Sequence, residues 1–333
     1  MNKENKRLCE LIDHFENKRI AVWGDFILDE YLYGNTNRIS REAPVLILSY
    51  KNRKFSLGGG GNSLLNLKAL GASPFPIGVI GSDSAGDEII RILNSHEISS
   101  DFLIRENEFS TPSKTRILAG EENTRKQQIL RIDKEGKVPN TANIRKKLLE
   151  HLNNAQKNIN ALLISDYNYF NIIKSIYNQT LPGFKKANIP VAVDSRFRIL
   201  SFKYTTVSTP NEPEIEEALR IKLSDKKELL KQTGSRLLKK TGAEAILLTR
   251  GSKGMVLFEK SKPALFIPVH GSTDIVDVTG AGDTVISVFT LALATGGTFS
   301  QAARLANYAG GLVVMKKGTS TLTSKKLKEA IVS

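Results

Sequence analysis

Short apolar segments alternate with longer stretches of helical periodicity along most of the chain. The apolar segments are rich in β-branched residues and end at Gly, Asp or Pro, as buried strands do. They lie at 20–23, 45–48, 77–80, 161–164, 191–193, 245–249 and 255–258. Apolar positions three or four apart predict helices over 63–70, 85–93, 144–152, 214–219, 227–239, 283–294 and 299–315. Strands that alternate with helices predict an α/β fold with a parallel sheet covered on both faces.

Two stretches break this alternation, at about 30–57 and 101–133. Polar and apolar residues alternate within them, at 114–118 and 128–132, which is typical of a sheet with one face in water. We expect both stretches to form one small β lid on the main sheet. Because we find neither internal repeats nor a low-complexity linker, we expect residues 1–333 to form a single domain.

The composition excludes several classes of protein. A 40% share of hydrophobic residues, 25% of charged residues and a mean hydropathy of −0.21 argue against disorder and against a membrane protein. The N-terminus lacks the apolar core of a secretory signal. Cys9 is the single cysteine, which excludes an intramolecular disulfide, and the four histidines have no metal-ligand spacing. We therefore expect a cytoplasmic protein without a membrane partner.

The net charge of +14 comes from 48 Lys and Arg against 34 Asp and Glu. These basic residues are spread in short clusters, mostly on predicted helices, where they form solvated faces. The sequence has no arginine-rich arm and no stripe of alternating aromatic and basic residues, so we expect no nucleic-acid partner.

The strongest chemical motif is Asp277-Val-Thr-Gly-Ala-Gly-Asp283, followed directly by an apolar helix. Small residues allow a tight turn whose N–H groups point outward, and the helix N-terminus favours an anion. Asp283 adds a carboxylate at the same place. A base beside an anion hole is what hydroxyl attack on a phosphoryl group requires. The structural alternative is a glycine-rich turn with an ordinary capping Asp.

A second glycine cluster, residues 58–61, precedes Asn62 at a predicted helix start. So many glycines indicate a bend or a ligand close to the backbone. Asn62 is placed to cap the helix or to bind a sugar hydroxyl. Asp25 and Asp29 follow the first strand, where their carboxylates can accept hydrogen bonds from sugar hydroxyls or cap local structure. The G-x-G-x-x-G dinucleotide fingerprint is absent.

Two further motifs point to a nucleotide and a cation. Asn211 and Glu214, in Asn-Glu-Pro-Glu, place two oxygen-bearing side chains three residues apart at a helix start. They can orient a hydrated Mg²⁺ or form a helix capping box. The glycines of the stretch from Thr249 to Gly254, between two predicted strands, leave room for a nucleotide.

These motifs in this order resemble the ribokinase-like (PfkB) carbohydrate kinases, from about residue 18 to 320. The resemblance implies a Rossmann-like αβα sandwich with a small β-sheet lid, ATP as phosphoryl donor, and Mg²⁺. It implies that Asp283 is the catalytic base, with Gly280, Ala281 and Gly282 as the anion hole. It assigns sugar contacts to Asp25, Asp29, Gly58, Gly59 and Asn62, and nucleotide contacts to Asn211, Thr249, Gly251, Gly254 and Asn307. Glu214 would hold Mg²⁺ through water, and Asp277 and Thr279 match positions that hold a monovalent cation, such as K⁺, in some members.

Within the family, the closest likeness is to the kinase domain of heptose-7-phosphate kinase / ADP-heptose synthase. It rests on GDFILDEYLYGNTNRISREAPV at 24–45, then KTRIL and QQILRID. The implied reaction is phosphorylation of D-glycero-D-manno-heptose 7-phosphate at the anomeric hydroxyl, giving the 1,7-bisphosphate. A phosphorylated substrate needs cations at its far end. The basic residues on the predicted lid side are Arg38, Arg41, Lys114, Arg116 and Arg131.

The sequence departs from that subfamily at two segments. An Asp-Tyr-Gly-Lys-Gly-like segment is here 166–170, with Asn168 and Tyr169 at the Gly and Lys positions, and an Asp-Pro-Lys stretch is here Asp194-Ser-Arg196. Arg196 supplies a charge in place of that lysine. The chain ends soon after KKGTSTLT, so we expect the adenylyltransferase half to be absent.

Two alternatives stay open from the sequence. One is a kinase of an unphosphorylated sugar or a nucleoside. The other is a non-catalytic sugar-binding or nucleic-acid-binding protein on the same fold, which would not need a base at position 283. We also expect a homodimer built through the lid, because a small sheet that projects from a core leaves an apolar face uncovered.

Overall fold

The computed structural model describes residues 2–120, 126–271, 277–315 and 320–332, without the side chains of Asn37 and Arg38. Within these ranges the strands are β1 (Arg19–Gly24), β2 (Phe26–Ile39), β3 (Leu46–Gly59), β4 (Ser73–Gly81), β5 (Leu103–Glu106), β6 (Ser113–Gly120), β7 (Gln127–Lys134), β8 (Ala161–Asp166), β9 (Val191–Ser195), β10 (Val207–Ser208), β11 (Ala245–Thr249), β12 (Met255–Glu259) and β13 (Leu265–Ile267). The helices are α1 (Lys3–Asp13), α2 (Gly60–Ala69), α3 (Ser84–Ser95), α4 (Ala142–Gln156), α5 (Lys174–Lys186), α6 (Glu212–Leu219), α7 (Lys227–Thr241), α8 (Ala281–Ala294), α9 (Phe299–Val313) and α10 (Ser324–Val332).

Nine of these strands form one large sheet, in the order β13-β12-β11-β10-β9-β8-β1-β4-β5. Its strands from β11 to β5 pair in parallel, and the antiparallel strands β12 and β13 lie at one edge. The α/β fold with a mostly parallel sheet is therefore confirmed. None of the helices in the described ranges has the length and apolar character needed to cross a bilayer.

Helices cover both faces of the large sheet, as the near-continuous apolar strands require. In β1, Ile20 and Val22 pack with α1, α2, α3, α8, α9 and α10, whereas Ala21 and Trp23 pack with α4 and α5 on the opposite face. Helices α6 and α7 cover that second face at the β11–β12 end. The sheet is the middle layer of an αβα sandwich.

The remaining four strands form a small sheet, in the order β3-β2-β6-β7. β2 pairs antiparallel with β3 and parallel with β6, and β6 pairs antiparallel with β7. The predicted lid segment 101–133 included β5, which instead pairs in parallel with β4 at the edge of the large sheet. Leu103 and Ile104 are buried there, so this strand belongs to the main core. The role of the small sheet as a lid stays a prediction.

Candidate active site

Asp283 lies in the first turn of α8, where the chain enters the helix through Gly280 in the left-handed region at φ 76°. Its carboxylate is buried, with 4% of the residue exposed. The side-chain amide of Asn62, in the first turn of α2, donates to Asp283 Oδ2 over 2.8 Å. The hydroxyl of Tyr167 donates to Asp283 Oδ1 over 3.3 Å. Two glycine-rich helix starts therefore meet at one carboxylate.

The pKa of Asp283 is raised to about 7, and burial is the largest cause of this shift. The negative charges of Asp194 and Asp29 contribute to the raised value, and the hydrogen bonds from Asn62 and Tyr167 partly oppose it. A carboxyl group with a pKa near neutral pH is well matched to taking a proton from a hydroxyl group.

A buried polar chain orients Asn62. The side-chain amide of Asn66, one helical turn later in α2, donates to the Asn62 backbone carbonyl over 3.0 Å and to its Oδ1 over 3.3 Å. The Thr284 hydroxyl donates to Asn66 Oδ1 over 3.0 Å. Because Oδ1 of Asn62 accepts from Asn66, its Nδ2 group is left to face Asp283. The sequence analysis assigned no role to Asn66 or Thr284.

The backbone beside Asp283 borders open space. A side chain built at Gly282 would meet no atom within 4 Å. The N–H group of Ala281 donates to the Val278 carbonyl over 3.2 Å, so in this conformation it is turned into the preceding loop. Of the predicted anion hole, Gly282 is therefore the residue whose backbone lies most open, at the positive end of an apolar helix.

A cavity of about 290 Å³ opens beside the first turn of α8. It is lined by the five predicted nucleotide residues, Asn211, Thr249, Gly251, Gly254 and Asn307, together with Ala281, Gly282 and apolar side chains that include Met255, Val269, Val278 and Val285. Gly254 has φ 79°, and a side chain there would clash with the carbonyl of Ile267 at 2.2 Å. The structure brings these predicted residues together in one apolar cleft with polar edges.

Glu214 and Asn211 form a capping box at the start of α6, in which the Asn211 N–H donates to Glu214 Oε2 over 2.9 Å and the Glu214 N–H donates to Asn211 Oδ1 over 2.9 Å. Burial raises the pKa of Glu214, and so does the charge of Asp194, at the end of β9. Burial likewise raises the pKa of Asp194. Within the described residues, no group of three or more His, Cys, Asp or Glu is placed to hold a metal ion. Two close carboxylates with raised pKa values still fit a cation that keeps most of its waters.

Asp277 and Thr279 precede α8. The Thr279 N–H donates to Asp277 Oδ1 over 2.9 Å, and the Asp277 N–H donates to the Val314 carbonyl over 3.1 Å. The two residues share one turn, and their part in holding a monovalent cation stays a prediction.

A second cavity, of about 500 Å³, lies between the small sheet and the loop after β8. Its basic side chains are Lys114, Arg131, Lys137 and Arg196, and the rest of its lining is Asp133, Glu135, Gly136, Tyr167, Asn168, Tyr169 and Phe197. Burial lowers the pKa of Lys114, whose ammonium group lies 5.9 Å from the Tyr167 ring centre. Four cations around one cavity suit a phosphate group.

Arg116 is not among the side chains that line this cavity. Its guanidinium forms an ion pair with Asp29 at 2.5 Å and lies over the Tyr31 ring. A side chain built at Gly58 would come within 2.7 Å of Asp29 Oδ2, so glycine makes room for that carboxylate. Arg41 is exposed and also outside the lining, and the side chain of Arg38 falls outside the described part of the chain. Of the predicted basic residues whose side chains are described, Lys114 and Arg131 line the cavity, and Arg196 and Lys137 line it with them.

Asp25 lies beneath the loop 167–171. It is fully buried, and its two carboxylate oxygens accept backbone N–H groups from Tyr167, Tyr169 and Asn171 over 2.7–3.2 Å. Gly59, with φ 57°, lies against the Asp25 carbonyl and the Tyr167 ring, at distances that leave no room for a side chain. The carboxylate of Asp25 therefore contacts the protein backbone in this structure, and its contact with a sugar stays a prediction.

The sequence analysis also missed two residues of this region. Tyr167 received no role, although it directly follows the strand-end Asp166 and could have been found from that position. Lys137 was missed because it lies in an irregular segment that no periodicity marks.

The sequence is similar to those of known carbohydrate kinases. A sequence model of the pfkB family carbohydrate kinases matches residues 17–326. The chain is 32% identical over 329 residues to the bifunctional protein HldE of Pelobacter propionicus, covering 98% of this chain and 66% of that protein. The chain is 36% identical over 323 residues to HldE of Coxiella burnetii, covering 96% of this chain and 65% of that protein. The chain therefore spans about two thirds of the length of these curated relatives.

Solved structures share the fold. Arabidopsis thaliana ribokinase complexed with ribose and ATP superposes with a TM-score of 0.71, at 20% identity, covering 95% of this chain and 99% of that chain. Phosphofructokinase-2 from Escherichia coli in complex with potassium superposes with a TM-score of 0.76, at 16% identity, covering 95% and 98%. At these identities the likeness shows the architecture alone.

Proposed function

The chain belongs to the pfkB family of carbohydrate kinases, and we propose that it transfers a phosphoryl group from ATP to a hydroxyl group of a phosphorylated sugar. The observation that carries the proposal is that the hydrogen-bond partner of Asp283 lines one cavity and its chain neighbour lines another. One is the apolar cleft beside Thr249 and Asn307, and the other is the basic cavity beside Lys114 and Arg196. Tyr167, which bonds to Asp283, lines the basic cavity, and Gly282 lines the apolar cleft.

In the proposed reaction Asp283 takes the proton from the attacking sugar hydroxyl. Its pKa of about 7 leaves it substantially ionised at neutral pH and able to receive that proton. Asn62 and Tyr167 fix the orientation of its two oxygens. The open backbone at Gly282, at the N-terminus of α8, stabilises negative charge on the transferring phosphoryl oxygens.

The nucleotide would lie in the 290 Å³ cleft, with its base among the apolar side chains and its phosphates toward Gly282. Glu214 and Asp194 would hold Mg²⁺ through water molecules, and the ion would neutralise charge on the phosphate oxygens. The fit rests on two carboxylates whose pKa values are raised by burial, with the charge of Asp194 raising that of Glu214 further, since a cation would relieve that repulsion. Asp277 and Thr279 are the proposed place for a monovalent cation such as K⁺.

The phosphate of the sugar would lie among Lys114, Arg131, Lys137 and Arg196, whose charges favour a dianion. The sugar ring would then lie between these cations and Asp283, near Asn62 and the glycines at 58 and 59. The relatives named HldE support a heptose 7-phosphate, and we propose D-glycero-D-manno-heptose 7-phosphate, phosphorylated at the anomeric hydroxyl to the 1,7-bisphosphate.

A screen of free and phosphorylated sugars, with ADP release as the readout, tests this proposal. We expect the heptose 7-phosphate to give the highest kcat/KM, and phosphorus NMR to show a new phosphate on the anomeric carbon. Release of ADP with unphosphorylated sugars or nucleosides alone would favour the first alternative. Binding of a sugar without ADP release would favour the non-catalytic one.

A further inference from the structure

The loop that follows β8 has an unusual backbone. Asn168 and Phe170 both have positive φ values, 68° and 70°, although neither is glycine. A bulky residue in this region is an outlier that persists only where its surroundings hold it. Residues 167–171 are therefore held in shape by something outside the loop.

The buried carboxylate of Asp25 is the group on which this loop converges. Oδ2 accepts the N–H groups of Tyr167 and Tyr169 over 2.7 and 3.1 Å, and Oδ1 accepts that of Asn171 over 3.2 Å. The N–H groups of alternate residues donate to Asp25 because the residues between them have a left-handed backbone conformation. This conformation turns the alternate N–H groups to the same side of the loop. This is the geometry of a backbone nest around an anion, with the anion supplied by the protein itself.

The far end of the loop has its own anchor. The side chain of Asn171 accepts the Val79 N–H over 2.5 Å and donates to the Val79 carbonyl, and the Trp23 indole N–H donates to the Asn171 carbonyl over 3.1 Å. The near end carries Tyr167, whose hydroxyl reaches Asp283. Asp25 contacts both ends of the loop, and at the end that touches the proposed base its carboxylate accepts the Tyr167 N–H.

We propose that Asp25 is a positioning residue, which acts through loop 167–171 on Tyr167 and through Tyr167 on Asp283, and does not contact the sugar. The chain of contacts is continuous from the buried Asp25 carboxylate to the Tyr167 N–H and from the Tyr167 hydroxyl to Asp283 Oδ1. The part of this inference that concerns catalysis rests on the proposed function of Asp283. The part that concerns the loop is independent of any activity.

The first test is kinetic, with Asp25→Asn. Asparagine has the size of aspartate, but its side-chain NH₂ group cannot accept hydrogen bonds from the backbone N–H groups. The loop therefore loses some of the hydrogen bonds that hold it. We expect kcat to fall by about 10–100-fold, the range for a catalytic group displaced by ~1 Å, with little change in KM for the sugar phosphate. A direct sugar ligand would instead raise KM at constant kcat, and that result would overturn the proposal.

The second test is a rescue. Phe170→Gly removes the backbone strain at φ 70°, so Asp25→Asn/Phe170→Gly should recover most of the lost kcat. The matched control is Asp25→Asn/Asn188→Gly, because Asn188 also has a positive φ, 53°, but lies after α5 and away from the loop. An equal recovery of kcat in both double variants would indicate a general gain in stability and would rule out the positioning role of Asp25.

Two further measurements keep the proposal testable if Asp25→Asn does not fold or if the chain phosphorylates no sugar. Tyr167→Phe should lower kcat. The control, Tyr177→Phe, removes a buried hydroxyl that donates to the Lys203 carbonyl and should leave kcat unchanged. A wild-type kcat in Tyr167→Phe would overturn the inference. Amide hydrogen exchange at 167, 169 and 171 should be faster in Asp25→Asn than in wild type, without substrate. Unchanged amide protection at these three residues would show that Asp25 does not hold the loop. A lack of kinase activity would refute only the proposed function.

Discussion

Asn62 donates its side-chain N–H to Asp283 across 2.8 Å, joining two residues that are 221 positions apart in the chain. Each lies in the first turn of a helix that begins with small residues, α2 and α8. The contact therefore brings together the two glycine-rich motifs of the sequence and gives the proposed base a fixed orientation.

Replacing Asp283 by Asn removes the basicity and keeps the volume. We expect kcat to fall by roughly 10²–10⁴-fold, because proton transfer from the attacking hydroxyl loses its acceptor. Thermal melting should show that the variant stays folded, since Asn62 can still donate to the amide oxygen and the Tyr167 hydroxyl can accept from the amide N–H. Near-normal turnover in the folded variant would contradict the assignment.

The pH dependence of kcat should follow the ionisation of Asp283. With a pKa of about 7, the carboxyl is protonated and inactive well below pH 7 and ionised above it, so kcat should rise between about pH 6 and 8. The bond from Asn62 lowers this pKa, so Asn62→Ala should move the midpoint to higher pH. The comparison is made on one substrate, so that titration of its own phosphate cancels. A midpoint that does not move would show that another group controls the profile.

Local features of the sequence predict much of this site, because a glycine-rich turn and the helix after it are encoded in a few neighbouring residues. The positions of Asp283, Asn62 and the residues of the apolar cleft follow from such turns and from the shared edge where parallel strands end. Strand alternation correctly places Lys114 and Arg116 on one face of the small sheet, with Arg131 beside Arg116.

Long-range pairings are not encoded in this way. Arg116 forms an ion pair with Asp29, 87 residues earlier, and Asp25 is covered by a loop more than 140 residues later. Alternation gives the face of a strand but not the partner of a charge, so a basic residue reserved for an internal ion pair looks the same in the sequence as one that faces a substrate.

Arg196 should determine the preference for a phosphorylated sugar. Arg196→Ala removes a cation from the basic cavity, and the loss of a charged hydrogen bond, about 1.5–3 kcal/mol, corresponds to a KM for the sugar phosphate roughly 10–100-fold higher. KM for the matching free sugar should change little. Arg236→Ala, an exposed arginine on α7, serves as the control. An equal loss with both sugars would indicate a structural role and would favour the free-sugar alternative.

Glu214 should control the response to Mg²⁺. Glu214→Gln keeps a side chain that supports the capping box but removes the charge, so we expect the Mg²⁺ concentration for half-maximal activity to rise by about tenfold or more. Gln301→Ala, which breaks the second capping box, at the start of α9, should lower stability without changing this concentration. An unchanged Mg²⁺ response in Glu214→Gln would leave Glu214 as a helix cap alone.

The face of the small sheet opposite Lys114 and Arg131 should form a dimer interface. Leu32, Ile117 and Leu130 lie in register across β2, β6 and β7 on that face, with Ile132 two residues along from Leu130. Leu130 and Ile132 are 52% and 54% exposed, a high value for neighbouring apolar side chains on a sheet of four strands.

Pairing this face with its copy about a two-fold axis would bury both surfaces in one isologous interface. Light scattering at micromolar concentration should therefore give about twice the chain mass of 36.7 kDa. Leu130→Asp should return the mass to that of one chain, because a buried charge opposes the interface. Leu229→Asp, at an exposed leucine on α7, should leave the dimer intact. A mass near 36.7 kDa for the unmodified protein, with ATP analogue and sugar present, would contradict the dimer.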